Sequence, residues 1–118
     1  MAEKSPLPRL DDILDAIRGI EDTVGGLEFE TYEEVWQIRR AVERGIEIIS
    51  EASRHLPNDL KAGHSEIPWG KVAAIGNVLR HEYDEIASDA IWALIKDELP
   101  KLKVAVTAMI GALERPDK

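Results

Sequence analysis

The sequence has no cysteine, so disulfides, thiolate zinc sites, iron–sulfur clusters and cysteine nucleophiles are all excluded. It also lacks a long apolar run: the most apolar stretch, residues 104–113, is about half the length needed to span a bilayer. The opening residues MAEKSPLPRLDD hold acids and two prolines and no apolar run of the length a secretory signal needs. These absences predict a cytoplasmic protein with no membrane partner. Positive charge is in deficit as well, with 15 Lys and Arg against 23 Asp and Glu and a net charge of -8. A surface of that sign repels a polyanion such as RNA at long range. The excess is uneven, since residues 1–59 carry 14 acids and 7 bases while residues 60–118 carry 9 and 8. An anionic ligand is therefore expected on the C-terminal half.

Apolar residues make up 44% and charged residues 32%, a globular rather than a disordered composition. At 118 residues there is room for one core, which predicts a single domain over 1–118 with tails at 1–8 and 114–118. Leu10, Ile13, Leu14, Ile17, Ile20 and Val24 recur at steps of three and four, the apolar stripe of a first helix. Pro8 suits its first turn and Gly25-Gly26 its end.

Thr31 and Glu34 have the spacing of a capping box. A second helix is expected from there through Val35, Ile38, Val42, Ile46, Ile49 and Ala52 to Leu56-Pro57, about 24 residues or roughly 36 Å. Gly45 inside it costs about 1 kcal/mol relative to alanine, which predicts close approach of another helix. Residues 57–67 are rich in turn formers and read as a loop with room for one helical turn. Pro68 opens a third helix with Trp69, Val72, Ala73, Ile75, Val78 and Leu79 as its apolar set. Ser88 caps a fourth with Ile91, Trp92 and Ile95, and Pro100 starts a fifth whose Val104, Met109 and Leu113 point inward. No segment alternates with period two, so the expected fold is an all-α bundle of about five helices.

Several familiar sites are missing. Gly63 and Gly70-Lys71 are wrongly spaced for a phosphate loop, and Val72 stands where a magnesium-binding Ser or Thr is needed. There is no nucleophile elbow. His55, His64 and His81 lack zinc-ligand spacing. The polar cluster that stands out is Asn77, Arg80, His81, Tyr83 and Asp84. Asn77 and His81 are four apart and share a helix face, whereas His81 and Tyr83 are about 200° apart on a continuing helix. For both to serve one site, the helix must end between them or a second chain must contribute. Taken as residues alone, the cluster reads first as a surface Arg80–Asp84 ion pair with His81 favouring the negative helix end.

The run AVERGIEIISEA at residues 41–52 resembles the second-helix signature of the HepT-like proteins of the HEPN superfamily. IPW at 67–69, GNVLRHEY at 76–83, Trp92 and LPKL at 99–102 resemble the rest of that pattern in order and spacing, from about Leu10 to Leu113. The resemblance implies a HEPN-like helical bundle that forms a two-fold dimer. It also implies a metal-independent endoribonuclease without cofactor, acting on RNA as the toxin of a toxin–antitoxin pair.

The family motif is an Arg, four to six residues, then His-x-Tyr. His81 and Tyr83 match the His and Tyr, and Asn77 matches the Asn that often follows the Arg. The Arg itself is replaced, with Gly76 in its place. Arg80 is the nearest guanidinium, about 100° from His81 around the helix.

Cutting RNA without metal needs a base for the ribose 2′-hydroxyl, an acid for the leaving oxygen and a cation on the phosphoryl oxygens. On this resemblance His81 is the acid–base group, Asn77 a hydrogen-bond donor, Arg80 a substitute clamp that a second subunit could supply, and Tyr83 a hydroxyl and stacking face. The family also implies an MntA-like nucleotidyltransferase antitoxin that adds AMP to the motif tyrosine, here Tyr83. That adduct would block a phosphate by charge and volume. The loss of Arg at Gly76 and the net negative charge support an alternative, a HEPN-fold interaction module that binds a nucleotidyltransferase or nucleotide without cleaving RNA.

Overall fold

The computed structural model describes residues 5–82 and 88–114. The expected tail residues 1–4 and 115–118 lie outside them. Every regular element among the described residues is helical, as the missing period-two pattern predicts. Helix α1 (Leu7–Val24) buries Leu10, Ile13, Ile17, Ile20 and Val24, the stripe read from the sequence. It stops at the double glycine, where Gly26 takes φ of 80°, a left-handed conformation that a Cβ would oppose.

The expected long second helix is two helices. α2 (Phe29–Glu34) and α3 (Trp36–Ser53) are separated by Val35 in extended conformation. Thr31 lies inside α2 and the N-cap Glu28 makes no side-chain cap bond, so no helix starts from a capping box at Thr31. The reason is angular. On one continuous helix Tyr32 would stand about 80° and Phe29 about 140° around the axis from Val42, away from the core stripe. The break turns both rings inward: Tyr32 is fully buried, with its ring centroid 5.1 Å from that of Trp92 and 6.4 Å from that of Phe29. α3 is therefore 18 residues, roughly 27 Å long.

The expected turn in the following loop forms as α4 (Asn58–Ala62). α5 (Trp69–Glu82) follows Pro68. α6 (Ser88–Ala93) runs through a π-helical turn, Leu94–Glu98, into α7 (Leu99–Glu114). The predicted start at Pro100 is thus one residue off, and the chain continues without a reversal. Leu99 N–H bonds Leu94 O across the π turn, just before the proline whose ring would press on the preceding helical turn. The widened turn also holds Ile91, Ile95, Leu99 and Leu102 on one buried side, because spacings of four otherwise drift by about 40° per step. The same register corrects two inward assignments on α7: Met109 is buried, whereas Val104 is 71% and Leu113 41% exposed. On α5 Val78 is likewise exposed, and Leu79 is buried.

α3 is the central element, packed on α1 along one side and on α5 along the other, and α7 also packs against α1. Gly45 permits the first contact, as its place in the sequence predicts: a Cβ there would meet Ile20 Cγ1 at 2.8 Å. A groove of about 400 Å³ remains between α5 and the π turn and start of α7, lined by Ile49, Val72, Ile75, Leu94 and Leu99 among others.

Candidate functional site

The polar cluster singled out in the sequence falls on the C-terminal half of α5. Asn77 is exposed there, and Arg80 and His81 lie in the last described turn before residue 83. Helical backbone through residue 82 keeps positions 77 and 81 four apart on one face and sets positions 80 and 81 about 100° apart. Tyr83 and Asp84 lie outside the described residues.

What fixes α5 in place is a polar seam against α3. Ser50, fully buried, donates its hydroxyl to Ala73 O at 2.8 Å and accepts the Gly76 N–H at 3.1 Å. Both halves of the hydroxyl are therefore used, which offsets the cost of burying it. The helices approach closely at this point. A Cβ on Gly76 would sit 2.7 Å from Ser50 Oγ and 2.8 Å from its Cβ. Glycine at 76 is thus a packing requirement of this α3–α5 contact, and any larger side chain there would force the helices apart.

Arg54, one residue past the end of α3, closes the seam. Its Nη1 donates to Ala73 O at 2.7 Å and lies 3.4 Å from Ser50 Oγ, and its Nη2 pairs with Glu51. Glu51 also meets His55 Nε2 at 3.0 Å. The bonds from His55 and then Arg54 hold the Glu51 carboxyl below its ordinary range. Sequence reading left Arg54 unassigned and gave Glu51 and His55 no role. The spacing of Ser50 and Arg54, four apart on the helix that faces α5, is the signal that could have found this seam.

The two helices run antiparallel, since Arg54 meets Ala73 while Glu47 lies against Gly76. The turn bearing residues 77–81 therefore runs alongside the part of α3 that precedes Glu47. That part carries Arg40, Glu43 and Arg44. Glu43 pairs with Arg40 at 3.2 Å, and partial burial raises its carboxyl above the ordinary value against the pull of Arg40 and Arg39. Arg40 stacks over Trp36 at 5.5 Å. Among the described residues no group of three His, Asp or Glu side chains is gathered as a metal site, and no helix is long and apolar enough to cross a membrane.

Comparison with known proteins gives a concordant result. A relative in Caldanaerobacter subterraneus subsp. tengcongensis is 34% identical over 107 residues, covering 91% of this chain and 96% of its own. One in Methanocaldococcus jannaschii is 30% identical over 106 residues, covering 90% and 97%. Both bear the name "Putative RNase". A third, in Thermococcus cleftensis, is named "Probable ribonuclease HepT" and is 38% identical over 94 residues, covering 80% of this chain and 86% of its own. No solved structure matches the chain significantly. The family described as ribonuclease HepT-like matches residues 13–109, nearly the whole helical bundle, and the chain belongs to that family.

Proposed function

We propose that this chain is a metal-independent endoribonuclease, the toxin half of a pair with an MntA-like nucleotidyltransferase antitoxin, and that it works as a two-fold dimer. The observation that carries this reading is the placement of Asn77 on an exposed face of α5, four residues before His81, in a member of a ribonuclease family. His81 takes the proton of the ribose 2′-hydroxyl, the alkoxide attacks the adjacent phosphorus, and the 5′-oxygen leaves with a proton from an imidazolium. Histidine suits both roles because its ordinary pKa lies near neutrality. Arg80 neutralises charge that builds on the phosphoryl oxygens, and Asn77 donates a hydrogen bond to the bound strand. Arg80 is about 100° from His81 on its own helix, so the clamp for one copy's His81 comes from the other copy's Arg80. Exposed Val78, Val104 and Leu113 leave apolar surface for that partner to cover. Tyr83 is the acceptor of AMP, which silences the enzyme.

The packed Gly76 favours a second reading, an interaction module of the same fold that binds a nucleotidyltransferase or nucleotide and cuts nothing, because the family's Arg has no room there. Cleavage of total RNA in excess EDTA, by the wild type beside His81→Ala, decides between them. The ribonuclease reading expects cleavage by the first and at least a hundredfold less by the second, about the scale of a lost general acid or base. No cleavage by folded wild type overturns it in favour of the silent module.

A further inference from the structure

The motif position that lacks an Arg is not far from a guanidinium. Ser50 Oγ lies 2.7 Å from where a Cβ on Gly76 would be and 3.4 Å from Arg54 Nη1. Those distances put the Arg54 guanidinium within about 6 Å of the point where a side chain at 76 would begin. It is anchored on Ala73 O at 2.7 Å, the carbonyl that the helical register also gives to the amide of Asn77. α3 thus delivers a fixed cation to the turn of α5 that presents Asn77.

Resting on the ribonuclease reading, we propose that Arg54 and Asn77 form a subsite for one backbone phosphate of single-stranded RNA, beside the phosphate attacked at His81. Ala73, Asn77 and His81 follow one another at about 6 Å of rise along α5, so a strand laid along this row passes Arg54 and Asn77 before reaching the histidine. Arg54 retains donors for the task. Nη1 is committed to Ala73 and Ser50, and one hydrogen of Nη2 to Glu51, which leaves Nε–H and the second Nη2 hydrogen of the five that a guanidinium carries. Both Arg54 and Asn77 are exposed. The carboxylate of Glu51 holds the fork in orientation and competes with the phosphate for it, while His55 occupies its other oxygen. The site suits a single-stranded polyanion because it offers one cation and one amide in line with the reacting group, and it reads no base.

The test is binding of a 2′-O-methyl oligoribonucleotide, which lacks the attacking hydroxyl and cannot be cut, measured across a salt series. Arg54→Gln is expected to weaken binding about tenfold at low salt, the scale of a charge-assisted hydrogen bond. It should also make the slope of log K against log salt shallower by about 0.7, the loss of one phosphate contact on a single strand. Asn77→Ala should weaken binding several-fold with the slope unchanged, and Arg18→Gln, on the exposed side of α1, should alter neither. Loss of the Ala73 bond alone would lower the melting temperature and leave the slope alone, so an unchanged slope in Arg54→Gln overturns the subsite. An equal change in Arg18→Gln overturns it too. Should Arg54→Gln fail to fold, Asn77→Ala decides, and wild-type affinity in that variant overturns the subsite. In each of these cases wild-type binding leaves the ribonuclease reading standing. A wild type that neither binds this probe nor cuts RNA overturns both.

Discussion

α3 meets a neighbour at a glycine twice, at its own Gly45 against α1 and at Gly76 of α5, and the two contacts are built from opposite materials. At Gly45 the neighbour is the side chain of Ile20, whose Cγ1 and Cδ1 would lie 2.8 and 2.9 Å from an added Cβ. At Gly76 the neighbours are the hydroxyl and Cβ of Ser50, and that hydroxyl is bonded to two backbone groups of α5. The first contact is apolar, and its obstacle is a side chain that can shift without breaking a hydrogen bond. The second is polar, and its obstacle is tied down at both ends. An apolar contact resists being emptied but slides readily, whereas a hydrogen-bonded seam fixes the axial position of one helix on another. α1 needs only burial. α5 carries Asn77 and His81, and its register decides where they stand.

This difference predicts unequal responses to the same substitution. Gly76→Ala should destabilise by about 1–2 kcal/mol, the upper range for overpacking less the helix propensity that alanine returns, since Ser50 cannot rotate away without abandoning its partners. Gly45→Ala should cost no more than about 1 kcal/mol, because Ile20 can shift without breaking a hydrogen bond and alanine returns about 1 kcal/mol of helix propensity. Denaturant unfolding of the two variants measures the gap, and equal losses would erase the distinction. A sharper version removes the obstacle. Ser50→Gly deletes the two atoms with which an added Cβ at 76 would clash and leaves only Glu47 Cα in ordinary contact at 3.6 Å. The double variant Ser50→Gly, Gly76→Ala should therefore be more stable than the sum of its single losses by about 1–2 kcal/mol, within the range of coupling between touching residues. Strict additivity would mean that the clash is not with Ser50.

The apolar contact was legible in the sequence and the polar one was not. The α1 stripe and Gly45 follow from spacing, because burial repeats with the helical period and a mid-helix glycine asks for a reason. The seam depends on Ser50, Ala73, Gly76 and Arg54, which are ordinary residues of two helices that meet only in three dimensions, and no period marks them. Gly76 illustrates the point: read along the chain it is a missing arginine, and in the fold it is what lets α5 seat on Ser50. The same limit explains the break at Val35. A capping-box spacing is local, while the burial of Phe29 and Tyr32 against Trp92 is set by a residue some sixty positions away. On α7, where apolar residues occur on several faces, composition could not say that Val104 looks outward; the π turn before Pro100 sets that register.

Tyr32 extends the comparison to a third junction, where α2 meets α6, and it is the opposite of Ser50. Both hydroxyls are fully buried, but that of Tyr32 has no hydrogen-bond partner among the described residues. A satisfied buried hydroxyl stabilises by about 1 kcal/mol and an orphaned one does not. Ser50→Ala should therefore cost about 1 kcal/mol, whereas Tyr32→Phe should be neutral or stabilise by up to about 1 kcal/mol, keeping the ring contacts with Phe29 and Trp92. The pH dependence gives an independent check. Burial first, and the nearby Glu43 carboxylate second, push the Tyr32 phenol from 10.0 to about 12. The folded state therefore holds this proton longer than the unfolded chain. Its contribution is complete below pH 10 and is lost as the pH rises through the folded value near 12. The wild type should lose stability across that window relative to Tyr32→Phe. Parallel curves from pH 9 to 12 would show that the hydroxyl reaches solvent after all, and that the junction of α2 and α6 is looser than the seam that positions α5.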